Sequence, residues 1–401
     1  MDVLERFLKY ISIPTNSTNK SESIPSTDSQ KGLAELLVKE LKQLNLDEVY
    51  YDEEHCYVYG VLKGNDLFPK IGFISHLDTS EEVTDKNVKP RIIKNYDGKD
   101  IELNKDIILS INNFPELKNY IGKTIVTTDG TTLLGADDKA GIAEIMAMLE
   151  YFVDTKEEHG DIYVAFTPDE EIGKGTDFFD FSRFKADFAY TADGSDVGEI
   201  SYENFNAATA KIKIEGISTH TGSAKDKMVN SSLIANEIIN LIPNERPENT
   251  EGYEGFYHLN FINGSVSNTE IKYLIRDFDK TGFENRKQNI KNIIGLLNEK
   301  YNGCIKLEIS DTYYNMKDKI VQNMHIIENA KNAVKRLGIE PTITAIRGGT
   351  DGAEITKKAI PCPNLGIGAM NFHSIYECAC VEDMQKACEV MIEIIKEYTI
   401  N

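Results

Sequence analysis

No apolar run in this chain approaches the ~20 residues that span a bilayer, so the sequence predicts no membrane segment and no membrane partner. A secretory leader needs an unbroken apolar core. Here the stretch from Met1 to Tyr10 carries Asp2, Glu5, Arg6 and Lys9. Cysteine is sparse: Cys56, Cys304, Cys362, Cys378, Cys380 and Cys388 form no C-x-x-C pair. That argues against a disulfide framework and for a reducing, cytoplasmic setting. Cys378 and Cys380 lie near His373 in sequence but are read as structural, because one C-x-C spacing makes a poor metal signature. Basic residues are short as well, 44 against 65 acidic, for a formal net charge of -21. With no basic stripe to offset it, that charge repels a phosphate backbone, so nucleic acid is not an expected partner. Repeats, low-complexity tracts and a G-x-x-x-x-G-K-[ST] loop are all missing, which weighs against a phosphoryl-transfer enzyme built on the acidic clusters.

What is present suits a folded enzyme. Hydrophobic residues make up 41% of the 401 and charged residues 27%, enough to bury a sizeable core, and the length predicts two domains. Helical patterning runs over Asp2 to Tyr10, from about Gln30 to Leu44, and over Ala140 to Tyr151. Cys56 to Leu62, Ile71 to Ser75 and Ile162 to Phe166 are short apolar runs that read as buried strands. After about Asn206 the order becomes strand (Lys211 to Gly216), helix (Asn230 to Leu241), two strands (Gly255 to Phe261, Ile271 to Phe278), helix (Thr281 to Tyr301) and strand (Cys304 to Ser310). This β-α-β-β-α-β succession is the ferredoxin-like order. The fold class expected is therefore α/β, with residues 1–206 and 316–401 forming one discontinuous domain and 207–315 an inserted α+β unit.

Polar groups gather where the predicted strands end, the side on which open α/β sheets collect ligands. Ile71 to Ser75 runs into His76-Leu77-Asp78-Thr79. An imidazole there can take a metal and the nearby acid can orient it, although a structural His–Asp pair is the plainer reading. Gly135-Ala136-Asp137-Asp138-Lys139-Ala140-Gly141 places adjacent acids where a helix opens. Acids at a helix N-terminus are a common device, but a carboxylate shared by two cations would also relieve their repulsion. Ile162 to Phe166 leads into Thr167-Pro168-Asp169-Glu170-Glu171, where one acid can bind metal while its neighbour serves as general base; a solvated acidic turn is the alternative. Asp193, within Tyr190-Thr191-Ala192-Asp193-Gly194, and Asn371-Phe372-His373 complete the set. Histidine, aspartate and glutamate together suit zinc, with cobalt or manganese possible by the same ligand logic.

In this order, the segments resemble the dinuclear zinc metallopeptidase family that includes aminoacylases and the carboxypeptidases that remove glutamate from folates. Thr127 to Gly135, Glu251 to His258, Ile275 to Asp279 and Ile346 to Gly352 are similar to its tripeptide aminopeptidase branch, and the likeness runs nearly the full length. The resemblance implies a zinc-peptidase-type catalytic domain and two zinc ions per subunit. It implies that Asp137 bridges them, preceding a cis peptide bond to Asp138, that His76 and Asp193 complete one site, and that Glu171 and His373 complete the other. Asp78 would orient His76, and Glu170 would be the general base. His220, Arg276, Arg347 and Asn371 are the substrate-binding candidates: His220 for the oxyanion, and the two arginines for a peptide's far carboxylate, since guanidinium pairs bidentately. The inserted unit would serve as a lid and possible homodimer contact. Two departures stand out: Thr221 replaces a common proline, and Ser374-Ile375-Tyr376 replaces the branch's usual Gly-Lys-His. The expected activity is removal of the N-terminal residue from tripeptides; the nearest rivals are a dipeptidase or deacylase with the same ligands, and a catalytically silent relative.

Overall fold

Apolar runs without polar alternation fit strands covered on both faces. In the computed structural model, which describes residues 2–399, Tyr57–Leu62, Ile71–His76 and Ile162–Thr167 are such strands, buried along their whole length. The chain divides into two compact units, Met1–Tyr202 with Met316–Thr344 and Thr350–Asn401, and Glu203–Asn315 with Ala345–Gly349.

The first unit is organised by a mixed sheet with the spatial order Glu48–Asp52, Tyr57–Leu62, Ile162–Thr167, Ile71–His76, Phe188–Gly194, Asn364–Gly366, Glu199–Asn204 and Thr342–Ile346, the last two strands running past its boundaries at Tyr202 and Thr344. Ile162–Thr167, Ile71–His76, Phe188–Gly194 and Asn364–Gly366 run parallel, so their carboxyl ends share one edge. The helices Val3–Ile11, Ala136–Thr155 and Val381–Glu397 pack together. Gly141 lets the middle one lie close to the sheet: a Cβ there would fall 2.2 Å from the Ala192 carbonyl oxygen. A smaller sheet orders Ala369–Met370, Cys378–Cys380, Ile125–Thr127 and Arg91–Ile93. These strands are too short to show a hydrophobic period in the sequence.

The second unit is an antiparallel sheet in the order Phe256–Gly264, Asn268–Asp277, Asn206–Glu215, Ile305–Tyr313. Ser231–Leu241 and Lys280–Lys300 supply its helices, and Ile212, Ile214, Ile238, Ile275, Phe283 and Ile290 form the core between them and the sheet. Lys211, Lys213 and Glu215 alternate outward and are exposed, as a sheet covered on one face requires. The succession is β-α-β-β-α-β. Ala345–Gly349 also belongs to this unit, whereas a boundary read along the sequence leaves it with the other. Arg347 accounts for the difference. Its guanidinium donates to the carbonyls of Gly252 (2.6 Å) and Glu254 (3.1 Å) and to the Thr250 hydroxyl (3.1 Å), and lies over the Phe205 ring.

Candidate metal centre

Five segments of the first unit deliver the acidic and imidazole groups. His76 ends the Ile71–His76 strand and is almost fully buried. Its Nδ1 lies 2.9 Å from the Asp78 carbonyl oxygen and 3.4 Å from Asp78 Oδ1, which leaves Nε2 to face Asp137 Oδ1 at 2.8 Å and Asp193 Oδ1 at 3.7 Å. His373 reaches Asp137 from elsewhere. It stands in the turn between Ala369–Met370 and Cys378–Cys380, with Nε2 3.2 Å from Asp137 Oδ2 and 2.9 Å from Glu171 Oε2. Two groups result, His76 with Asp137 and Asp193, and Asp137 with Glu171 and His373; within each group the donor atoms lie within 4.8 Å of one another. Asp137 is common to both, and the Asp137–Asp138 peptide bond is cis.

Of the remaining predicted residues, Asp78 and Asn371 hold the turns that carry these ligands. Asp78 is fully buried and accepts the backbone N–H of Glu170 (2.9 Å) on one oxygen and that of Glu171 (3.2 Å) on the other. One carboxylate thus ties the end of the His76 strand to the acidic turn after Ile162–Thr167. Asn371 has φ 60°, and its side-chain amide donates to the Tyr376 carbonyl at 3.2 Å, closing the turn that carries His373. His220, Arg276 and Arg347 belong to the second unit. His220 is exposed, and its Nδ1 accepts the Gly222 N–H at 3.1 Å, which places a neutral ring's proton on Nε2. Arg276 donates to the Ile275 carbonyl at 3.1 Å and lies 5.1 Å from the Tyr313 ring centre.

The electrostatics separate the two neighbouring glutamates. Burial, reinforced by the Asp193 charge, raises Glu170 well above the usual carboxylate range. Burial pushes Glu171 up only to about 7, with the His373 contact opposing it. Asp137 goes the other way: burial would raise it, but hydrogen bonds from His373 and His76 hold it below the ordinary value. His373 is pushed up to about 11, chiefly by Asp137 and then Glu171. Glu171 Oε1 is buried with no hydrogen-bond partner among the described residues. An orphaned carboxylate oxygen amid other acids is costly without a cation. That atom, the oxygen–nitrogen donor set and the shared Asp137 fit two divalent ions.

Several supporting residues carry no mark in the sequence. Glu377, buried, accepts the N–H groups of Leu134 (2.7 Å), Gly135 (2.8 Å) and Asp137 (3.0 Å), so the acid four places after His373 fixes the turn that presents Asp137. Ser75 donates to Asp138 Oδ2 at 2.5 Å. Asp351, buried, accepts the Thr167 hydroxyl at 2.7 Å; burial, together with the Asp193 and Asp78 charges, outweighs the Thr167 bond and His76 and lifts it to about 7. Only its place in Gly348-Gly349-Thr350-Asp351, just inside a helix start, offered a signal. Cys378 and Cys380 are free, buried and raised by that burial, and neither is among the candidate ligands.

Known proteins share both the sequence and the fold. Residues 128–397 match the sequence profile of peptidase family M20/M25/M40. A protein named peptidase T from Caldanaerobacter subterraneus is 55% identical over 99% of this chain and 98% of its own. A second peptidase T, from Alkaliphilus oremlandii, is 53% identical over 99% of both. Among solved structures, aminopeptidase PepT from Bacillus cereus superposes with a TM-score of 0.79 at 24% identity, covering 99% of this chain and 98% of that one. The Bacillus subtilis YXEP protein, described as a dinuclear metal-binding peptidase, gives a TM-score of 0.66 at 13% identity over 98% and 96%. The shared aspartate between two ligand groups, the parallel strand ends that carry them and the full-length identity lead to one assignment: this chain belongs to peptidase family M20/M25/M40.

Proposed function

We propose that this chain is an aminopeptidase that removes the N-terminal residue from tripeptides, using a centre that holds two zinc ions. The observation that carries the proposal is Asp137, shared by two groups of zinc-type ligands, in a chain more than half identical along its length to a protein named peptidase T. His76 and Asp193 would hold one ion, Glu171 and His373 the other, and Asp137 both. When bound, such ions polarise a carbonyl and lower the pKa of water.

The chain's own residues do the rest. Glu170 stands beside Glu171 and donates its backbone N–H to Asp78. Burial raises its proton affinity, which suits a group that takes a proton from the attacking water and returns it to the leaving amine. Asp78 sets both the His76 ring and the turn bearing Glu170. His220, with its proton on Nε2, is the proposed donor to the oxyanion. Arg276 is the proposed reader of the peptide's far carboxylate, while Arg347 and Asn371 would support substrate by holding the Thr250–Glu254 segment and the His373 turn. The free cysteines support a cytoplasmic setting. Catalysis by the first unit, with the second as lid and homodimer contact, is the division of labour we propose.

The test is turnover of a free tripeptide, its N-acetylated form and its C-terminal amide, with and without a chelator. Chelator-sensitive cleavage of the free tripeptide is expected; preference for the acetylated peptide would make the protein a deacylase. Arg276→Ala should raise KM for the free tripeptide and leave the amide unchanged. Glu170→Gln is expected to lower kcat about 10²–10⁴-fold while both metals stay bound.

A further inference from the structure

We infer that Glu82 is a positioning residue for His373, and that it thereby sets metal affinity at the Asp137–Glu171–His373 position alone. The inference rests on the reading that these three residues hold a metal ion.

An imidazole that offers its Nε2 lone pair to a metal must carry its proton on Nδ1, and the acceptor at Nδ1 decides both that tautomer and the ring's angle. For His76 the acceptors are Asp78's carbonyl and carboxylate, both buried. For His373 the acceptor is Glu82, whose Oε2 lies 3.0 Å from Nδ1. The same oxygen accepts the Ser80 hydroxyl at 2.8 Å, and the Glu82 N–H donates to Ser80 Oγ at 3.3 Å.

Glu82 stands on an anchored segment. Asp85 accepts the N–H groups of Thr15 and Asn16 and the Thr79 hydroxyl, and the Asn16 amide donates to the Ser80 carbonyl at 2.9 Å. The ring therefore meets a carboxylate fixed from behind, on a loop remote in sequence from its own.

The two outer carboxylates differ in how far their loss would spread. Asp78 also holds the N–H groups of Glu170 and Glu171, so its removal disturbs both metal positions. Glu82 bonds Ser80 and His373, and its side chain is 63% exposed. An exposed pair of this kind contributes little to stability, so removing it should leave the fold intact and free one ring.

Zinc titration of the metal-free full-length protein against a competing chelator tests this in the wild type, Glu82→Gln and Glu82→Ala, alongside Tm of each metal-free form. The wild type should bind two ions. In Glu82→Ala one binding step should weaken about 10–100-fold with the other step and the metal-free Tm unchanged. Glu82→Gln should fall between, since its amide oxygen can still accept from Nδ1. Two unchanged steps in Glu82→Ala, or equal weakening of both with a lower Tm, would overturn the inference and leave the two-metal reading standing. A wild type that binds fewer than two ions would overturn the two-metal reading itself, and the inference with it.

Discussion

Asp137 accepts from two imidazoles through different oxygens, and this governs what the metal-free protein must release before a cation can enter. His373 is raised to about 11 by Asp137 and Glu171, so it is protonated near neutral pH, and Glu171, lifted by burial to about 7, is partly so. An imidazolium has no lone pair to give, and a protonated carboxyl is a weak ligand. Zinc uptake should therefore expel protons. The sign follows: affinity rises with pH, about tenfold per pH unit for each proton displaced, until the pH passes the metal-free pKa of His373. Calorimetry in buffers of different ionisation heats checks it, since proton release makes the measured heat depend on the buffer; an equal heat in all buffers would contradict it.

At the scale of elements, the site depends on how closely the Ala136–Thr155 helix approaches Phe188–Gly194. Gly141→Ala would put a methyl 2.2 Å from the Ala192 carbonyl, next to Asp193. Backbone cannot swing aside as a flexible side chain does, so the helix bearing Asp137 must move off the strand bearing Asp193. Such overpacking costs about 1–3 kcal/mol; Tm should fall, and the metal-loaded protein should lose metal to a chelator sooner than wild type. The same elements show what the sequence made legible. His76, Glu171 and Asp193 stood out because they follow apolar runs that read as buried strands, and the chemistry of parallel sheets concentrates at such ends. Glu377 and Glu82 did not, because their work is done on partners remote in sequence: Leu134 and Gly135 for one, His373 for the other. The small sheet was equally hidden, since Ile125–Thr127 and Ala369–Met370 are too short for any period to register.

For the molecule as a whole, the net charge of -21 creates a field that acts before any contact is made. A tripeptide containing lysine should be captured faster at low ionic strength, and one containing glutamate more slowly. Raising salt toward ~0.15 M shortens the Debye length to about 8 Å, so kcat/KM for the two should converge; parallel salt profiles would contradict the expectation. Charge was legible from composition alone. The regrouping of Ala345–Gly349 with the second unit was not, because it depends on Arg347 finding the Thr250–Glu254 carbonyls.

Asp78 gives the centre a particular kind of fragility. A single carboxylate, buried and saturated by the His76 ring on one side and two successive peptide N–H groups on the other, works as a spacer gauge between separate strand ends. Glutamate would lengthen the gauge by one methylene, and asparagine would turn one accepting oxygen into a donor facing another donor. Neither conservative replacement is conservative here, and random mutagenesis at this codon should return aspartate alone among active clones.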